Sequence, residues 1–237
     1  MSNSYFQFKQ FRIEQGQCAM KVSTDACIQG AWTPIDTTVR HVLDIGAGTG
    51  LLSLMLAQRN NLIKIDAIEL DKDAALQANE NFAFSPWNDR LRCYQGDVKG
   101  FSFHRKYDLI ISNPPFFSKS LLGDSVRRNQ ARHSLYFSLE HLVKVLDQQM
   151  EENGCASVLL PAAEHQIWEN LLVKAGYSIS GELHIIPAPQ KPANRVVSIC
   201  SRQQRVHKQT ETLHIRTGKD HYSEDFKTLM QAFYLHL

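Results

Sequence analysis

Nothing constrains this chain more than Val42-Leu43-Asp44-Ile45-Gly46-Ala47-Gly48-Thr49-Gly50, an apolar run that breaks into glycines at alternate positions. A strand that ends so abruptly needs backbone at positive φ, or something packed too close for a Cβ, and glycine serves both needs. The residues that follow, Thr49–Gln58, carry an apolar stripe at helical spacing. Strand, glycine turn and helix in that order open a parallel sheet whose ligands bind beyond the carboxyl ends of its strands. The pattern is G-x-G-x-G, with Leu51 where a dinucleotide fingerprint carries its last glycine, which argues against nicotinamide and flavin dinucleotides.

From residue 41 onward, strand and helix signals alternate. Strands are expected at His41–Ile45, Ile63–Leu70, Arg90–Gln95, Asp108–Ser112 and Ala156–Leu160. Helices are expected at Thr49–Gln58, Lys72–Phe84, Leu139–Met150 (Ser138 as N-cap, Asn153-Gly154 as stop) and Glu164–Lys174 (ended by Gly176). Ser178–Ile186 and Arg195–Cys200 read as consecutive strands joined by a Pro-rich loop, hence an antiparallel edge. The fold class is therefore α/β, a doubly wound sheet with helices on both faces. Residues 1–40, with a short helix at Thr24–Trp32, read as an N-terminal extension, in which Cys18–Trp32 makes a small helical lid. Residues 41–237 read as the main domain, on which an amphipathic helix at Ser223–Tyr234 packs back.

The chain has 237 residues, 43% of them apolar and 21% charged, ordinary figures for one soluble globular domain with a small appendage. No apolar stretch approaches the ~20 residues that span a bilayer, and the first residues lack the pattern of a signal peptide, so a cytoplasmic protein is expected. Cys18, Cys27, Cys93, Cys155 and Cys200 are scattered without short pairings, which fits reduced thiols and no metal site.

Acidic residues close successive strands. Glu69 ends the second, placed to accept hydrogen bonds from both hydroxyls of a ribose. Asp97, after the third, is placed to accept from an adenine amino group, and Asp44 puts a carboxylate near a cationic amine. Each alone is an ordinary turn or cap residue; three around one glycine turn describe an adenosyl site. Asn113-Pro114-Pro115-Phe116 then closes the fourth strand. A conjugated amine is a poor nucleophile because its lone pair is delocalised. The Asn113 side-chain oxygen and the Pro114 carbonyl can accept its N–H groups and favour the pyramidal geometry that attacks a methyl donor. Proline stiffens the loop, and Phe116 offers a face for a flipped base, worth ~1–3 kcal/mol.

The net charge of +2 is small, but its distribution is uneven. Lys119, Arg127, Arg128 and Arg132 form one basic run; Lys191, Arg195, Arg202, Arg205 and Lys208 form another without an acid. Flanking the expected site, they suit phosphate contacts, and Lys119, Arg127, Arg128, Arg132, Lys191 and Arg195 are the candidate RNA-binding residues.

The run from Val42 to Phe116 resembles the class I S-adenosylmethionine-dependent methyltransferases. That resemblance implies a Rossmann-like, seven-stranded sheet with an antiparallel last strand, and S-adenosyl-L-methionine held by Asp44, Gly46, Gly48 and Gly50 of the turn, with Glu69 and Asp97. The flanks are narrower still: Phe8-Lys9-Gln10-Phe11, Cys18-Ala19-Met20-Lys21-Val22-Ser23-Thr24-Asp25, Gly30-Ala31-Trp32, Lys191-Pro192, Arg195-Val196 and the ending Phe226 to Phe233-Tyr234-Leu235. They are similar to the bacterial tRNA1(Val) (adenine(37)-N6)-methyltransferase family. By that likeness the substrate is the exocyclic N6 of adenine 37 in the anticodon loop. Lys21 and Thr24 would then help close the cofactor pocket, with no membrane and no obligate protein partner involved. The competing expectation is an N-methyltransferase of a ribosomal RNA guanine or a release-factor glutamine.

Overall fold

The computed structural model describes residues 4–114, 137–203, 208–218 and 221–237. Its centre is a sheet in the order β10-β8-β9-β7-β6-β3-β4-β5. The strands are β3 (His41–Ile45), β4 (Lys64–Glu69), β5 (Leu91–Gln95), β6 (Tyr107–Ser112), β7 (Met150–Pro161), β8 (Ser178–Ile186), β9 (Arg195–Ser201) and β10 (Gln209–His214). From β3 the chain lays down β4 and β5 on one side, then crosses back to place β6 on the other, all parallel. The winding direction reverses between β3 and β6, where open sheets form their ligand crevice. Ile45 pairs with Ser112, so Gly46 and Asn113 leave adjacent strands side by side.

Side chains alternate faces along these strands. Val42, Ile65, Leu109 and Ile111 turn to one layer, built with helices α1 (Thr24–Trp32), α2 (Leu51–Arg59), α3 (Lys72–Ala83) and α6 (Glu224–Met230). Leu43, Ile45, Ile110, Val158 and Leu160 turn to the other, built with α4 (Leu139–Gln149) and α5 (Ala162–Lys174). Gly30 lets α1 approach α2 closely: a Cβ there would lie 2.8 Å from the sulfur of Met55 on α2. The N-terminal segment shares this layer through Phe8, Phe11, Ile13 and Ile28. Lys9 N–H donates to the Phe233 carbonyl at 2.8 Å, so the two chain ends close on each other. Among the described residues no helix is long and apolar enough to cross a membrane.

The sheet carries one strand more than the expected seven, and the antiparallel strand lies inside it. β9 runs antiparallel to both β7 and β8, and β10 joins β8 in parallel at the edge. With its mostly exposed side chains, β10 lacks the apolar alternation by which a strand is read. Two three-residue strands, β1 (Tyr5–Gln7) and β2 (Arg12–Glu14), form a separate hairpin. Asn153-Gly154 does not stop α4, which ends at Gln149 as β7 begins. Gly154 instead sits at an irregularity in the β6–β7 register, where a Cβ would lie 2.9 Å from the Tyr107 carbonyl oxygen. The last helix is shorter than expected: Ser223 caps it, and it ends at Met230.

Candidate active site

A cavity of about 480 Å³ opens at the switch point, within the range of small-molecule sites. Its floor is the turn after β3. Gly46 and Gly48 have φ of +74° and +54°, and a Cβ on either would meet no atom within 4 Å. They line the cavity, leaving bare backbone toward a ligand. Gly50 does not belong with them. Its φ is +79°, but a Cβ there would lie 2.4 Å from Cε1 of Phe82, so this glycine serves the packing of α3.

Glu69, at the end of β4, braces the turn: its carboxylate accepts from Gly48 N–H at 2.9 Å and Asp71 N–H at 3.0 Å. It lines the cavity together with Asp71, Asp73 and Asp97. Asp97 accepts from Lys99 N–H at 3.0 Å and pairs with the Lys99 ammonium at 3.3 Å. No lysine, arginine or histidine among the described residues lines the wall, so the cavity is electrostatically built for a cation. Asp44 lies behind it. Strand alternation turns this side chain toward α2, where Oδ2 accepts from the Ser53 hydroxyl at 2.7 Å and the Ser53 N–H at 3.2 Å. Its Oδ1 is buried with no hydrogen-bond partner among the described residues, and burial pushes the carboxyl up to about 6.

Asn113 and Pro114 form the opposite wall, joined by Phe137. Asn113 Oδ1 is buried and has no partner among the described residues. Pro115 and Phe116, and the cations Lys119, Arg127, Arg128 and Arg132, lie outside the described residues.

The cover includes the start of the expected lid, as a loop rather than a helix: Gln17, Cys18, Ala19 and Met20 line the cavity. Its base is pinned at both ends. Gln15 Oε1 accepts from Val22 N–H at 3.0 Å, and Asn81 of α3 accepts from Glu14 N–H and donates to its carbonyl, both at 2.9 Å. The same Asn81 amide donates to the Thr49 carbonyl at 2.9 Å, tying cover to glycine turn. Lys21 and Thr24, expected at the pocket, are not among its lining. Lys21 is exposed, and the Thr24 hydroxyl meets Tyr234 of the C-terminal tail. Beyond the pocket, Lys191 is exposed, while Arg195 pairs with Asp25 of α1 at 3.4 Å. The signals for what was missed were faint: Asp71 and Asp73 come just after Glu69, but Gln17 and Phe137 reach the cavity only through folding.

A family model described as the methyltransferase small domain matches residues 32–136. The chain is 39% identical over 239 residues to a tRNA1(Val) (adenine(37)-N6)-methyltransferase of Cytophaga hutchinsonii, with 100% of both chains covered. It is 39% identical to a protein of the same description from Dyadobacter fermentans, with 98% of each covered. Among solved structures its fold is similar to that of a predicted O-methyltransferase of Agrobacterium tumefaciens. There the TM-score is 0.61 at 16% identity, over 88% of this chain and 96% of that one.

Proposed function

The chain belongs to the tRNA1(Val) (adenine(37)-N6)-methyltransferase family, and from that premise we propose how its residues perform the reaction. It transfers a methyl group from S-adenosyl-L-methionine to N6 of adenine 37 in tRNA1(Val). The described cavity fits the cofactor in size, in the bare backbone at Gly46 and Gly48, and in an acidic wall suited to its cationic groups. Glu69 keeps lone pairs free for the ribose hydroxyls after bracing the turn, Asp97 for the adenine amine. When bound there, the cofactor supplies an electrophilic methyl on a sulfonium centre.

Asn113 Oδ1 and the Pro114 carbonyl hold the two N–H groups of the target amine. They draw its nitrogen out of conjugation and keep the lone pair aimed at the cofactor side of the crevice. Positioning and polarisation supply the rate, with no strong base required. One observation carries this reading: a buried amide oxygen at Asn113 with no hydrogen-bond partner among the described residues, directly after the strand beside the one that feeds the glycine turn. Phe116 is proposed to stack on the extruded base. An anticodon loop offers such a base already unpaired, and a cytoplasmic place of action fits that substrate. The basic residues Lys119, Arg127, Arg128, Arg132 and Lys191 are proposed to meet the flanking phosphates. Arg195 joins them only if RNA displaces its partner Asp25. Residues 1–40 are proposed to be a cover sharing the main core rather than a second domain.

Asn113→Ala tests the assignment. Turnover of unmodified tRNA should fall by at least ~100-fold, in line with losing one preorganised polar group, while calorimetric affinity for the cofactor stays within threefold. Equal losses of both would remove Asn113 from the acceptor side.

A further inference from the structure

Helix α1 carries an amide in the middle of an apolar layer. Gln29 has no exposed surface, and its neighbours Cys27, Ile28 and Ala31 all belong to the core. Its Oε1 is buried with no hydrogen-bond partner among the described residues. Leucine would fill the same space without that unmet acceptor. The donor end of the amide is where the position differs from a packing site. Nε2 donates to the Ser112 carbonyl at 3.0 Å and to the Ser157 carbonyl at 3.1 Å, bridging the last residue of β6 and an interior residue of β7. The Thr33 hydroxyl, from just past the same helix, meets the Ser157 hydroxyl at 2.7 Å.

Ser112 is the last residue of β6, and its carbonyl shares a rigid peptide plane with the N–H of Asn113. Its hydroxyl donates to the Ile45 carbonyl at 2.9 Å, and that carbonyl shares a plane with the N–H of Gly46. One serine thus registers two peptide planes, on the acceptor and cofactor sides of the crevice. Gln29 holds that serine in place from outside the sheet.

We infer that Gln29 is a positioning residue for methyl transfer, acting through Ser112 to fix the Asn113 peptide relative to Gly46. The inference rests on the reading of Asn113 as the residue that holds the amine. It touches neither substrate nor cofactor. Its effect belongs to kcat, because a misplacement of about 1 Å between reacting groups can cost on the order of 100-fold.

Gln29→Leu keeps the volume and removes both donors; Gln29→Met serves if the branched side chain impairs folding. We expect kcat to fall roughly 30–100-fold, with KM for tRNA and calorimetric cofactor affinity within threefold of the parent. The backbone amide resonance of Asn113 in the substrate-free protein should shift as well. Gln29→Glu adds a second readout. A buried carboxyl donates only when protonated, so its kcat at saturating substrates should recover as pH falls, a dependence absent from the Leu variant. Unchanged kcat with an unmoved Asn113 resonance overturns the inference. So does a loss shared equally by melting temperature and cofactor affinity, which marks a packing role alone. Should the parent fail to methylate tRNA, the functional reading falls, while the Asn113 resonance still decides whether Gln29 positions that peptide.

Discussion

At the residue scale, three glycines that read alike do two different jobs. Gly46 and Gly48 open backbone to the cavity; Gly50 makes room for Phe82. Alanine at Gly48 should cost ~1–2 kcal/mol for the left-handed backbone alone. Alanine at Gly50 adds overpacking, for a total of ~2–5 kcal/mol. Phe82→Leu should return part of the second loss and none of the first. Urea denaturation of the set checks this, and equal losses at the two glycines would contradict it. Asp44 makes a pH prediction. Its folded-state value of about 6 lies above that of an exposed aspartate. The stability it contributes is therefore fully present below pH ~4 and lost as pH rises through ~6, by on the order of 2–3 kcal/mol. Asp44→Asn should remove that slope. If Asp44 also faces the cationic end of the bound cofactor, calorimetric affinity should rise with pH through ~6 in the parent and stay flat in the variant. A flat parent profile would restrict Asp44 to holding Ser53.

At the element scale, the cover over the cavity is a loop clamped by single side chains, with Asn81 as the joint between hairpin, α3 and glycine turn. Asn81→Ala strands the Glu14 peptide groups, a loss of ~1–3 kcal/mol for each buried group left unpaired. Hydrogen exchange should quicken together across residues 14–22 and at the start of α2, with weaker cofactor binding. Faster exchange confined to α3 would show that the cover does not depend on this joint. The elements that sequence made plain are those with strong local signals. His41–Ile45 has an apolar run and a glycine stop, and Thr24–Trp32 is capped by Ser23 and closed before Pro34. The hairpin was not legible. Its strands have three residues each, and it is held by distant groups: the ring of Trp87 on Phe11 and the amide of Asn81. The same holds inside the site: Glu69 and Asp97 follow from strand ends, whereas Cys18 and Phe137 arrive from far along the chain. Gln29 carries no signal in the sequence and acquires meaning only when the end of β6 and the neighbouring stretch of β7 lie beneath it.

For the whole molecule, a net charge of +2 hides a division of fields. Acids gather on the described wall of the cavity, while along the sequence the cations gather in two other runs, Lys119–Arg132 and Lys191–Lys208. Under the proposed function, that division is what lets one crevice take a cationic cofactor and a polyanionic substrate. The central claim is that both meet at Asn113, on N6 of adenine 37. The most direct test incubates the protein and S-adenosyl-L-methionine with two unmodified tRNA1(Val) transcripts, one native and one carrying guanine at position 37. Nucleosides are then quantified by mass spectrometry. The account predicts N6-methyladenosine, approaching one per molecule, in the native transcript alone. Methyl transfer that persists in the substituted transcript, or that lands on another base, would contradict it.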